Sequence, residues 1–126
     1  MIKTLDLIVL FLYFSLIFWL SDQSSLPAPQ WFEYQDKLHH AMAYFVMALL
    51  VWRGFRHLFT SPIIVVFLSI AFCSLFGWSD EWHQSFVEGR QSDLADWVAD
   101  TVGALLAMSV LTSWQRCGVK KQKVNA

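Results

Sequence analysis

Charge is scarce in this chain. Asp, Glu, Lys and Arg together make up 15% of its 126 residues, where soluble domains carry about 25%. Neither sign dominates: 9 basic residues stand against 10 acidic ones, so nucleic-acid binding has no electrostatic basis and no such partner is expected. Cysteine is nearly absent. Cys73 and Cys117 lie far apart, Cys73 inside an apolar run, which excludes a disulfide framework. Only 5 Gly and 3 Pro interrupt the chain. Apolar residues fill it instead, at 56%, with 17% of all residues aromatic and a mean hydropathy of +0.45. That composition excludes intrinsic disorder, and the length allows one domain, 1–126. The class left is a small integral membrane protein.

Four apolar stretches stand out: Leu5–Leu20, Leu38–Trp52, Ile63–Trp78 and Leu94–Trp114. Crossing roughly 30 Å of hydrocarbon takes about 20 helical residues, so flanking polar residues complete the spans, at about 4–21, 36–53, 62–79 and 94–114. The second is short and needs Gln35–Lys37 at its start. Period-two alternation is missing, and continuous apolar runs of this length are helices because lipid offers no partner to an open backbone. The expected fold is therefore an all-α bundle of four transmembrane helices, with the lipid bilayer as its first partner. Internal repeats are absent.

Seven of the nine basic residues, Lys3, Arg53, Arg56, Arg116, Lys120, Lys121 and Lys123, fall on one side of these spans. The positive-inside rule then places both termini and the Arg53–Pro62 loop in the cytoplasm. The other side holds Lys37, Arg90 and every acidic residue except Asp6. The first span is expected to remain attached, because Ser21-Asp22-Gln23-Ser24-Ser25 offers no small-x-small cleavage site. Pro27 and Pro29 read as a stiff outer loop, and Lys120–Ala126 as a basic tail that sets orientation.

The outer ends of spans two to four carry the chemistry. Asp36, His40 and Tyr44 are spaced i, i+4, i+8, one stripe of a helix, with Asp36 placed to accept from the His40 imidazole. Asp80-Glu81 ends a charge-free span, and Gln84 shares a face with both. Paired acids there serve as acid and base or hold a cation. Gly89 permits a turn, and Arg90 after it presents a fork suited to phosphate or carboxylate; an internal salt bridge to Asp93 or Asp96 is the alternative, and an arginine held by acids can still face a ligand. Asp93, Asp96 and Asp100 fall at i, i+3, i+7. Asp100 lies about 9 Å inside Leu94 at 1.5 Å per residue, a depth at which ionisable groups face the protein interior. Ala95, Ala99, Gly103 and Ala107 recur every fourth residue, a spacing that lets a neighbouring helix approach. Among Arg90, His40 and Lys37, the acidic stripe finds its candidate neutralising groups. The four histidines form no zinc pattern, and no serine shows a nucleophile elbow.

Taken together, Asp36-Lys37-x-x-His40-x-x-x-Tyr44, Asp80-Glu81-x-x-Gln84-x-Phe86, Gly89-Arg90-x-x-Asp93-x-x-Asp96 and Gly103 resemble the VanZ-like family of small bacterial membrane proteins. The resemblance runs from Asp36 to Gly103. Asp100 departs from it, since many members carry asparagine there. The resemblance implies a multi-pass protein of the bacterial cytoplasmic (inner) membrane with the cell envelope as its arena. The family is named for a member linked to teicoplanin resistance, and the resemblance supplies no reaction.

Three functions fit these residues. The first is a binding protein whose extracytoplasmic pocket, built from Asp36, Lys37, His40, Tyr44, Gln84, Arg90, Asp93, Asp96 and Asp100, takes an anionic envelope ligand such as a lipid-linked precursor. The second is a membrane-embedded hydrolase or transferase on a lipid-linked substrate, with Asp80, Glu81, His40 and Asp96 as its catalytic candidates, acting as acids and bases or through Mg²⁺ or Mn²⁺. The third is a small proton-coupled carrier using Asp96 and Asp100 as relay groups, which would require a homodimer. No organic cofactor is predicted; a divalent metal is the one inorganic group these readings admit.

Overall fold

The computed structural model describes residues 2–24, 29 and 31–124, with side chains described through residue 118. The expectations for Pro27 and for the side chains of the basic tail lie outside the described residues. Four helices follow one another: α1 (Ile2–Ser21), α2 (Gln35–Phe55), α3 (Pro62–Gln84) and α4 (Leu94–Val124). No strand occurs among the described residues.

Helices α1, α3 and the Leu94–Gly118 part of α4 are each long and apolar enough to cross a membrane. Helix α2 has the length, at 21 residues, but its first two turns carry Asp36, Lys37, His39 and His40 and dilute its hydropathy. It lies instead at the centre of the bundle, packed on α4 most extensively and on α3 and α1 as well. Small residues allow this. Ala48, Ala104 and Ala107 are fully buried in the core with Met47, Val51, Cys73 and Met108. A Cβ on Gly103 would run into the backbone carbonyl of Ala41, 2.9 Å from its carbon, so α2 and α4 touch backbone to backbone there. The predicted small-residue stripe is thus real at Gly103 and Ala107. Ala95 is exposed and takes no part in the helix contact.

Helix α1 is peripheral. It contacts α2 and α3 but not α4, and exposes Leu5, Ile8, Phe11, Leu12, Leu16 and Trp19, an apolar face suited to lipid. Two polar ties hold it. Tyr13 donates to the Ala43 carbonyl at 3.0 Å. Asp6 accepts from Arg53 Nη2 at 2.6 Å and from Nε at 3.1 Å, and lies 2.9 Å from His57 Nε2. The lone acid of an apolar helix is thereby neutralised by the end of α2, as an intramembrane charge requires. Asp6→Asn is expected to lower the unfolding temperature by a few degrees, because the single amide oxygen cannot serve both the Arg53 guanidinium and the His57 ring. The shift should vanish when Arg53 is also replaced by Met; thermal unfolding of the purified variants tests this.

Helix α3 starts on Ser61, whose Oγ accepts from Ile64 N at 3.5 Å, with Pro62 at the first helical position. It does not stop at the end of its apolar run near residue 79 but continues to Gln84. The extra turn is stable because its polar residues find partners inside the bundle rather than in water. Trp97 Nε1 donates to the Ser74 carbonyl at 2.9 Å, and the Ser74 and Thr101 hydroxyls lie 3.0 Å apart, which registers α3 against α4. Gly89, at φ 83°, makes the turn its sequence position suggested.

Candidate functional site: a buried carboxylate cluster at one end of the bundle

The start of α2, the end of α3, the 85–93 loop and the start of α4 meet at one end of the molecule. Lys37 is the electrostatic centre of this end. Its Nζ lies 3.0 Å from Asp36, 2.5 Å from Asp93 and 2.7 Å from Asp96. Asp93, in the loop ahead of α4, also accepts from the Ala95 N–H at 2.9 Å. The Lys37 ammonium, followed by that N–H, holds the Asp93 carboxyl below the usual carboxylate range.

One turn further along α2, His40 Nδ1 lies 2.9 Å from Asp100 Oδ1. This corrects the expectation that Asp36 orients His40. The i, i+4 spacing does put the two on one face, but Asp36 is drawn to the adjacent lysine at the surface, and His40 turns across to α4. Asp100 is completely buried. Its Oδ2 lies over Gly77, where a Cβ would come within 2.7 Å of it, so α3 makes room for this carboxylate by lacking a side chain.

From α3, Gln84 donates through Nε2 to Asp80 Oδ2 at 3.2 Å and accepts through Oε1 from Arg90 Nη2 at 2.7 Å and Nε at 3.1 Å. Arg90 therefore rests on a neutral amide, and none of the described carboxylates forms an ion pair with it. The alternative, a bridge to Asp93 or Asp96, is absent because Lys37 has taken both. Glu81 Oε2 accepts from the Asp93 backbone N–H at 2.8 Å, tying the end of α3 to the loop before α4.

Among the described residues, Asp80 Oδ1, Glu81 Oε1, Asp100 Oδ2 and Tyr44 Oη are buried at this end without a hydrogen bond, while Asp96 Oδ1 faces the Lys37 ammonium at 2.7 Å. Buried polar groups are ordinarily paired, so these four atoms make this end a candidate site. A cavity of about 820 Å³ opens against them, lined by Ser21, Asp36, His39, His40, Tyr44, Asp80, Gln84, Arg90 and Asp96 among others. His40, Glu81 and Asp100 each bring a potential ligand atom within 4.8 Å of the other two.

Asp36, His40, Tyr44, Gln84, Arg90 and Asp96 thus share one cavity, together with Asp80. Lys37, Asp93, Glu81 and Asp100 stand behind it as its charged support. Sequence reasoning did not single out Ser21 or Gly77. A polar residue closing the first apolar run and a glycine one turn before Asp80 were the available signals. It also left Asp6, Arg53 and His57 unconnected, though a solitary acid in an apolar helix already calls for a partner.

These features define a class: an all-helical membrane protein whose ionisable residues are gathered into one internal polar cluster beside a cavity. The chain belongs to the VanZ/LLP1 family, whose description matches residues 5–115. No curated protein and no solved structure matches it.

Proposed function

We propose that this protein is a multi-pass binding protein of the bacterial cytoplasmic membrane, and that its polar cavity takes the anionic headgroup of an envelope or lipid-linked ligand. The excess of Lys and Arg at the opposite end supports cytoplasmic termini and an extracytoplasmic cavity. The observation that carries the reading is the state of Arg90. Its guanidinium lines the cavity and is held in place by the neutral Gln84 Oε1. The positive charge is therefore oriented but not neutralised by a direct carboxylate contact, and its remaining N–H donors are free for two oxygens of a phosphate. Asp80 and Asp96, with unpartnered oxygens, are placed to accept from hydroxyl or amine groups of the same headgroup.

Arg90→Ala is expected to weaken binding of a polyprenyl diphosphate lipid by at least about tenfold, the loss of one charge-assisted bidentate contact. Gln84→Ala should give a smaller loss, since it removes only the group that positions the arginine. Native mass spectrometry of the protein in nanodiscs containing that lipid measures both. Equal lipid retention by the wild type and Arg90→Ala would remove the basis of the reading.

A second reading, hydrolysis or transfer on the same lipid, draws on the His40–Asp100 couple, in which a carboxylate orients an imidazole as a general base requires. Release of phosphate from the lipid by wild type but not His40→Gln would favour it over simple binding.

A further inference from the structure

The proposed headgroup site contains a conflict of charge. Carboxylates of Asp36, Asp80, Glu81, Asp93, Asp96 and Asp100 converge on this end, against Lys37, Arg90 and at most one charge on His40. Lys37 is engaged by Asp36, Asp93 and Asp96, which leaves Asp80, in the cavity wall, and Glu81 and Asp100, behind it, with no Lys or Arg ion pair among the described residues. Whenever these carboxylates are ionised, an anionic headgroup meets negative charge there. Burial makes this worse, because an unpaired carboxylate out of water is costly.

We infer that His40, Glu81 and Asp100 form a binding site for a divalent first-row metal ion, reached through the His40 wall of the cavity with Glu81 and Asp100 behind it. Three observations on different helices support it. A ring nitrogen of His40 on α2, a carboxylate oxygen of Glu81 on α3 and one of Asp100 on α4 lie within 4.8 Å of one another. The His40–Asp100 separation of 2.9 Å already matches the edge between two adjacent ligands at about 2.1 Å from one metal, which is about 3 Å in octahedral geometry. Independently of the acids' clustering, Glu81 keeps one oxygen, Oε1, buried and without a hydrogen bond although its residue is only 4% exposed, and the Tyr44 hydroxyl, 1% exposed, is unpartnered as well.

The donor set, one imidazole nitrogen and two carboxylate oxygens, suits Mn²⁺, Fe²⁺ or Zn²⁺ better than Ca²⁺, which prefers an all-oxygen shell. Three protein ligands leave coordination positions free, as in sites that bind an exogenous group. The free positions would give a phosphate oxygen a cationic partner in addition to Arg90, and the ion would supply positive charge among the acids. This role rests on the headgroup reading above; the existence of the metal site does not.

The test uses the full chain in nanodiscs without added ligand, stripped with a chelator and titrated with Mn²⁺, free ion being followed by electron paramagnetic resonance. Zn²⁺ retained after gel filtration is measured in parallel. About one ion per chain is expected. Glu81→Gln and Asp100→Asn should each weaken binding by at least about tenfold, and His40→Gln likewise. Ser109→Ala, exposed on α4 away from this end, should leave it unchanged. Asp100→Asn is nearly isosteric, and its helical circular dichroism and metal-free unfolding temperature establish that the variant is folded when binding is read. No binding by folded wild type at millimolar Mn²⁺ and Zn²⁺ overturns the inference, as does stoichiometric binding that survives all three ligand substitutions. If metal binding fails while lipid retention still depends on Arg90, the headgroup reading stands and this one falls. If metal binds and lipid does not, the reverse holds.

Discussion

Lys37→Met is expected to destabilise the protein by about 3 kcal/mol, the lower part of the range for removing one partner of a buried ion pair. Of the three carboxylates around Lys37, two matter little. The Asp36 and Asp93 side chains are 53% and 46% exposed, and pairs of that kind contribute about 0–1 kcal/mol. Asp96 decides the outcome. Its side chain is 11% exposed, Lys37 is its only ion-pair partner among the described residues, and Oδ1 has no hydrogen bond to fall back on. Removing the ammonium leaves that charge stranded between α2 and α4. The double variant Lys37→Met/Asp96→Leu should recover most of the loss, since neither a buried cation nor a buried anion then remains unpaired. Equilibrium unfolding in mixed detergent micelles gives the cycle; a single variant as stable as wild type would show that water, not Lys37, solvates Asp96.

The same substitution has a signature in pH. Lys37 lowers the folded-state pKa of Asp93 below that of the unfolded chain. The unfolded state therefore takes up the proton first as acid is added. This contribution is complete above the ordinary carboxylate range and disappears as pH falls through it towards the folded value. It is small, because Asp93 is exposed. Its share of the acid sensitivity of wild type should be missing in Lys37→Met, read from unfolding midpoints across that window.

Gly103→Ala is expected to be as damaging as any charge change, at about 3 kcal/mol for forcing one methyl into a filled contact. What the methyl meets is the main chain of Ala41, with the carbonyl carbon at 2.9 Å and Cα at 3.0 Å. A side-chain neighbour could rotate away; a helix backbone cannot, so α2 and α4 must separate. Those two helices carry both the Lys37–Asp96 and His40–Asp100 contacts. The variant should therefore lose the proposed ligand and metal binding along with stability, whereas Gly118→Ala, inside α4 with nothing within 4 Å, should hold or raise stability by up to about 1 kcal/mol. Unfolding midpoints and Mn²⁺ affinity of the two alanine variants make the comparison.

Much of the polar cluster could be read before any coordinates. Helical periodicity put Asp93, Asp96 and Asp100 on one face, and all three do turn towards α2. The i, i+4 relation of Asp80 and Gln84 is a hydrogen bond in the structure. Partner choice was the part that could not be read. His40 and Asp36 share a face, yet His40 pairs with a residue 60 positions away. Arg90 has acids on both sides in sequence and rests on an amide. Spacing along one helix reports which residues are neighbours on its surface, not which of several available charges on other helices lies closest after packing. The proposed metal cluster is hidden from spacing for the same reason: His40, Glu81 and Asp100 come from three helices.

Composition and hydropathy alone pointed to an all-helical membrane protein with most of its acids and most of its bases on opposite sides of the apolar runs. These follow from solvent: a lipid-facing backbone must close its own hydrogen bonds, and charge must stay near the ends of apolar runs or find a partner. Helix crossing decided the rest. It brought Gly103 against Ala41, seated Asp100 between His40 and Gly77, spent Lys37 on three acids and left Glu81 and Tyr44 with unanswered polar atoms. Those outcomes depend on angles and distances between segments far apart in the chain, on which the order of residues along any one segment places no constraint.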